Sequence, residues 1–308
     1  MSIFPNAYLM CRPSAFGFNS QTGYSNAFQQ PLPSLEKDVN VLAQQEFDNM
    51  ATALLRRHIN LVLVQDTLSP EKPDAVFPNN WFSTHGDGSL IVYPMEAVNR
   101  RTEVREDVLS QFEKKYGLNR RLDLRGSFSE NKFLEGTGSM VFDHINRKCF
   151  ASISSRTHPD LIQRVCTFLD YRPVIFNALH GNGSAVYHTN VILSIADTFA
   201  VFCADAIPES ELVLNELKEG GREMVLISKS EMENFAGNVL QVVNRLGEKI
   251  LVMSKTAYMA FSATNKAKLD SLIEILSVEI PTIERVGGGS ARCMLAELFT
   301  GPSISSEN

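Results

Sequence analysis

Residues 287–294 read Gly287-Gly288-Gly289-Ser290-Ala291-Arg292-Cys293-Met294, a cysteine just behind a run of glycines. Lacking Cβ atoms, three glycines let the backbone turn tightly and come close to a ligand. A thiol delivered there, at the mouth of a strand and beside bare amide N–H groups, can attack an electrophilic carbon once its pKa is lowered. Read alone, the same window also suits a buried cysteine opening a core strand. A second chemical group stands in Phe133-Leu134-Glu135-Gly136-Thr137-Gly138-Ser139, where Glu135 lies between apolar residues and a glycine turn. At the edge of a dry pocket it would favour a cationic or proton-exchanging partner, whereas at the surface it would be a turn residue. His188 opens the apolar stretch after Ala185-Val186-Tyr187 and can act as a base near neutral pH or as a structural histidine. His180, beside Gly181-Asn182-Gly183, is the next candidate base.

Further polar groups cluster in Asp74-Ala75-Val76-Phe77-Pro78-Asn79-Asn80-Trp81. Arg100, Arg101 and Arg156 follow strand patterns and precede helical ones, and a guanidinium fork there can hold a carboxylate. Residues so far apart in sequence need a fold that gathers them. The chain repeats a strand–turn–strand–helix–strand unit, with starts at Asn80, Ser139, Asn190, Asn238 and Arg292, about fifty residues apart. The last unit stops after Phe299, and its missing parts appear at the N-terminus. These are a strand at Ala7 to Cys11, a helix around Phe47 to His58 and a strand at Asn60 to Val64. Closing the circle with both terminal strands would remove an exposed sheet edge. The expected fold is therefore α/β, a five-bladed propeller of ββαβ units with pseudo-fivefold symmetry. The alternative is an α+β sandwich.

Composition limits the function classes. With 44% hydrophobic and 21% charged residues over 308 positions, the chain is expected to form a globular domain spanning 1–308. A net charge of −6 without Lys/Arg blocks argues against nucleic-acid or membrane-surface partners. The five cysteines are scattered, with no CxxC pair or Cys/His cluster, so no metal is expected and a reducing cytoplasm suits them. Cys11, Cys149 and Cys203 sit in apolar runs and are expected to be core thiols.

Taken in order, Asp74-Ala75-Val76-Phe77, Leu134-Glu135-Gly136, Ser155-Arg156-Thr157, His188, and Gly288 to Met294 resemble the guanidino-group-modifying superfamily. That superfamily comprises arginine deiminase, dimethylarginine dimethylaminohydrolase and the amidinotransferases, all with a pentein fold. The N-terminal stretch from Cys11 to Asn19, with Asn26-Ala27-Phe28-Gln29, is most similar to the bacterial citrulline-utilization hydrolases. The resemblance implies that Cys293 is the nucleophile, His188 the acid and base, and Glu135 a holder of substrate N–H groups. It further implies that Asp74 binds the same end, that Arg101 and Arg156 take the α-carboxylate, and that no cofactor is used. The partner would be a small molecule, citrulline or a guanidino amino acid, and a homodimer is compatible with the pattern. Two departures stand out: Asn190 sits where arginine-processing relatives place an aspartate, and Asn79-Asn80 where dimethylarginine hydrolases carry an acidic pair. Burying a guanidinium without counter-charge is costly, and an amide N–H₂ meets a urea carbonyl. These differences point to citrulline, converted to ornithine, carbon dioxide and ammonia. The rival readings are an arginine deiminase or dimethylarginine hydrolase, an amidinotransferase, and a non-catalytic pentein.

Overall fold

Short alternating runs bounded by turns build the computed structural model of this chain, which describes residues 3–31 and 38–302. Strand β1 (Ala7–Arg12) runs parallel to β2 (Leu61–Gln65), and helix α1 (Val39–Arg56) makes the crossover that a parallel pair requires. Strands β3 (Phe82–Thr84) and β4 (Ser89–Val92) then form an antiparallel pair, and α2 (Glu106–Tyr116) leads to β5 (Arg120–Asp123), parallel to β4. The order returns with the one-turn α3 (Gly136–Ser139), β6 (Met140–Asp143), β7 (Lys148–Ser152), α4 (Pro159–Leu169) and β8 (Arg172–Phe176). It returns again with β9 (Leu193–Ile195), β10 (Phe199–Phe202), α5 (Ser210–Lys218) and β11 (Glu223–Leu226). After α6 (Lys229–Glu233) come β12 (Leu240–Val243), β13 (Lys249–Ser254), α7 (Lys255–Ala260), α8 (Ala263–Leu272) and β14 (Glu274–Val278). Finally β15 (Ala296–Leu298) pairs antiparallel with β1, so one three-stranded sheet contains strands from both ends of the chain.

The described residues thus form five three-stranded sheets, each with one antiparallel and one parallel pairing. Helix α2 shows why the connecting pieces fold. Glu106 and Asp107 meet its positive N-terminus, Lys114 and Lys115 its negative end, and Gly117 stops it at φ 63°. Val108, Leu109, Phe112 and Tyr116 make its buried stripe against β4 and the terminal strands. Truncating a buried residue of that kind, as in Phe112→Ala, costs about 3–5 kcal/mol.

The last helix ends at Leu272, because Ile275 and Leu276 pair with Leu251 and Val252 in β13. One expectation changes at the level of elements. The residues expected at strand starts lie one step earlier, in helical turns at Pro78–Asn80, Gly136–Ser139, Thr189–Val191 and Ala291–Met294. These turns and first strands are cross-linked in sequence. Asn79 Nδ2 donates to Thr137 Oγ1, Thr189 Oγ1 to Ser139 O, Asn238 Nδ2 to Asn190 O, Arg292 N–H to Asn238 Oδ1, and Thr84 Oγ1 to Glu297 O. Such bonds bring the chemically interesting residues together.

Candidate active site

The loop leading to Cys293 owes its path to glycine at specific places. Gly288 has φ +66°, and a Cβ there would lie 2.5 Å from Asn26 Nδ2, while one on Gly287 would lie 2.8 Å from the Phe77 ring. Cys293 follows in the Ala291–Met294 turn, 3% exposed, with its N–H bonded to Ser290 O at 2.9 Å. Its Sγ receives two neutral amide donors, Asn190 Nδ2 at 3.5 Å and Asn238 Nδ2 at 3.4 Å. Asn238 escaped the sequence reading as a site residue. Its signal was present, since it occupies the unit-start position that Asn80 and Asn190 occupy in theirs. The expected supply of free glycine-loop amides is reduced, because Gly288 N–H already bonds Glu284 O.

Glu135 precedes a glycine turn that nothing larger could make: Gly136 has φ +47°, and its Cβ would fall 2.3 Å from Asn79 O. The carboxylate is 0% exposed. Its Oε2 lies 2.9 Å from His188 Nε2, 3.5 Å from Arg156 Nη1 and 3.7 Å from Arg100 Nη1, and Oε1 accepts from Glu96 N–H. Burial alone would raise its pKa, but Arg156, the His188 bond and Arg100 together hold it well below the usual carboxylate range. Burial pushes His188 down to about 4, against the opposing pull of Glu135. A neutral ring beside an ionised carboxylate donates from Nε2, which leaves the Nδ1 lone pair free to take a proton.

Arg100, not the expected Arg101, lies at the cavity. In the tight turn Asn99–Glu103, positions 100 and 103 share a face, and Arg100 grips Glu103 with Nε and Nη2 at 2.8 and 2.9 Å. Its Nη1 donates to Asn80 Oδ1 at 3.0 Å. Arg101 turns away, donating to Met95 O and Glu96 O and stacking on Phe128 at 4.1 Å. Asp74 Oδ2 accepts from Asn19 Nδ2 and Thr22 Oγ1, while its Oδ1 is buried with no partner among the described residues. Burial raises the Asp74 pKa, with Arg100 opposing, and pushes Glu103 up to about 7.

Asp74, Asn80, Arg100, Arg156, His188 and Cys293 line a single cavity. Residues 19–29 cover it: Thr22 O and Ser25 Oγ accept from Arg156 Nη2, and Asn26 Nδ2 donates to Gly288 O. Beneath them the space is about 10 Å³, room for one water. Of the expected site residues, Cys293, His188, Glu135, Asp74, Asn80, Arg156 and Asn190 are gathered here and Arg101 is not. His180 stands elsewhere, on a separate outer cavity. Cys149 and Cys203 are core thiols, while Cys11 is half-buried. Among the described residues no cluster of His, Cys, Asp and Glu could hold a metal, and no helix is long and apolar enough to cross a membrane.

A buried thiol, an imidazole–carboxylate pair and paired arginines on five small α/β sheets define a pentein of the guanidino-group-modifying superfamily. More narrowly, the chain belongs to the dimethylarginine hydrolase family: the family described as "N,N dimethylarginine dimethylhydrolase, eukaryotic" matches residues 12–300. No curated protein matches the sequence. Among solved structures, it is similar to the N-terminal domain of ArgZ, an arginine dihydrolase from the ornithine–ammonia cycle in cyanobacteria, seen with substrate. The identity is 17% and the TM-score 0.74, over 96% of this chain and 98% of that one. A complex of an AgrE mutant with L-arginine gives 18% and 0.74, over 96% of this chain. A dimethylarginine dimethylaminohydrolase mutant, as an adduct with S-methyl-L-thiocitrulline, gives 13% and 0.66, over 96% of this chain and all of that one. This chain spans 40% of the AgrE chain and 42% of the longer ArgZ chain, and at these identities the likeness is one of fold.

Proposed function

We propose that the protein hydrolyses the guanidino group of an arginine-related amino acid, arginine or a methylated arginine, through a covalent intermediate on Cys293. The observation that carries this reading is a charge surplus. Three buried acids (Asp74, Glu103, Glu135) face two buried arginines (Arg100, Arg156), and Asp74 Oδ1 lacks a partner. A cation supplies the missing charge, and its arrival draws the raised Asp74 and Glu103 toward ionisation. Family membership and the arginine-bound relatives favour the same substrate class.

Cys293 passes its proton to His188, and the sulfur adds to the guanidino carbon. Collapse breaks a terminal C–N bond, and His188 returns the proton to the departing ammonia or amine. The carbon stays on sulfur as an alkylthiouronium. His188 next takes a proton from water, hydroxide adds, and C–S cleavage releases a ureido product while the proton returns to sulfur. Glu135 holds the imidazole and the substrate N–H groups. Opening of residues 19–29 frees the Arg156 fork from Thr22 and Ser25 for the α-carboxylate. We read the five cross-linked sheets as a closed propeller and the whole chain as one catalytic domain.

Citrulline is the second reading, favoured by Asn190 and by Asn80 Nδ2, which is buried without a partner among the described residues. A screen of ammonia and amine release from L-arginine, methylated arginines, L-citrulline and agmatine separates the two, with Cys293→Ser as control. Turnover of a guanidino amino acid, abolished in the control, is expected. Turnover of citrulline alone transfers the claim to the ureido substrate, and turnover of none overturns catalysis.

A further inference from the structure

A cavity of about 500 Å³ lies beside the catalytic one, and Phe28 stands between them. Its ring lines the outer cavity, while its centroid is 6.0 Å from that of Tyr187, which lines the inner space. The outer walls combine aromatic and charged groups. Phe28 packs on Phe235 at 4.9 Å and on His180 at 5.6 Å. Glu233 and Arg285 are exposed side chains on its rim, and among the described residues neither has an ion-pair or hydrogen-bond partner. Glu284 is the exception to that openness. It is buried at the cavity wall, accepting hydroxyls from Thr256 and Ser290 at 2.6 Å each.

Glu284 is a buried acid that the hydrolytic steps do not use, and its connections lead inward. Its carboxylate holds Ser290, whose carbonyl accepts the Cys293 N–H, and its own carbonyl accepts from Gly288. The covering segment is tied to the same turn, because Gln30 N–H bonds Arg285 O at 2.7 Å. A ligand in the outer cavity therefore touches both the cover and the nucleophile loop.

We infer that the outer cavity is a second binding site, for a free cationic α-amino acid, and that Glu284 and Ser290 transmit its occupancy to Cys293. The chemistry of the walls selects that class. An unpaired guanidinium fork suits an α-carboxylate, the open Glu233 carboxylate suits an ammonium group, and the rings of Phe28 and Phe235 attract a cation. The volume falls in the range of small-molecule sites. The choice of a dibasic amino acid rests on the guanidino reading of the catalytic site, whereas the cavity itself does not.

The test uses full-length protein with Cys293 alkylated by iodoacetamide, which fills the inner cavity. Calorimetric titration with L-ornithine and with L-arginine is expected to show one saturable event. Arg285→Ala and Glu233→Gln, both at exposed positions, are each expected to weaken it at least tenfold. In unblocked protein, saturating L-ornithine is expected to change the Cys293 alkylation rate by roughly fivefold or more. Ser290→Ala keeps the binding and loses that change. Absence of binding in the blocked protein overturns the site, as does binding that both substitutions leave untouched. An alkylation rate indifferent to the ligand overturns the coupling. Binding by the blocked protein does not depend on turnover, so failure of the guanidino hydrolase reading is distinguishable from failure of this one.

Discussion

The two sides of the candidate catalytic cavity are made of different chemistry. One side is charged and densely paired, with Asp74, Glu103 and Glu135 interleaved with Arg100 and Arg156. The other side is neutral, and the hydrogen-bond partners of Cys293 Sγ are the amides of Asn190 and Asn238. On the proposed reading, the difference separates recognition from attack: the charges that would hold a cation are kept off the sulfur, and amide dipoles and the incoming substrate would activate the thiol.

Neutralising the centre of the charged side should have the largest effect. Glu135→Gln leaves both arginines and His188 facing an amide, and kcat/KM for the guanidino substrate is expected to fall roughly 10³-fold. Steady-state kinetics reads that loss, and thermal melting reads the accompanying cost of uncompensated buried charge.

His188 gives the same side a pH signature. In the fold its pKa is about 4, below the value of about 6.5 expected in the unfolded chain. Its contribution to stability is thus present above pH 6.5 and lost as pH falls toward 4. Glu103 has the opposite sign: pushed up to about 7, its contribution is present at low pH and lost as pH rises through 7. The two are separated by subtraction. The stability of wild type minus that of His188→Asn should drop by up to about 3 kcal/mol between pH 7 and pH 4 in denaturant titrations.

Asp74→Asn removes the surplus charge without changing shape. It is expected to lower kcat/KM for arginine about 10²-fold and to leave citrulline turnover, where present, undiminished. Equal losses for both substrates would remove Asp74 from cation recognition.

The smallest effect belongs to the neutral side. Asn238→Ala deletes one donor to sulfur, and iodoacetamide labelling of Cys293 at pH 7 should slow about tenfold. Cys203, which burial pushes up to about 11, serves as the unreactive comparator.

Much of this arrangement was legible because it follows from residue types that tolerate few substitutes. The glycines around Glu135 and before Cys293 mark places where backbone approaches ring or carbonyl too closely for a Cβ. The repeat of about fifty residues foretold five sheets and a pairing of the terminal strands. Arg101 was misread because neighbouring arginines look alike in sequence, and the tight turn at Asn99–Glu103 decides which one faces inward. The spacing of Arg100 and Glu103 by three was the available clue. Asn238 was passed over because an amide carries no chemical signature of its own until it lies against a thiol. The preference for citrulline came from the amides at Asn80 and Asn190, whereas Glu103, a buried acid paired with Arg100, adds its charge beside the cavity only through the fold.

The most direct test of Cys293 as nucleophile is mass mapping of wild-type protein mixed with saturating L-arginine and quenched in acid within the first turnovers. The expected result is a Cys293 peptide heavier by the substrate less ammonia. An unmodified Cys293 peptide, together with arginine turnover surviving in Cys293→Ser, would contradict the covalent mechanism.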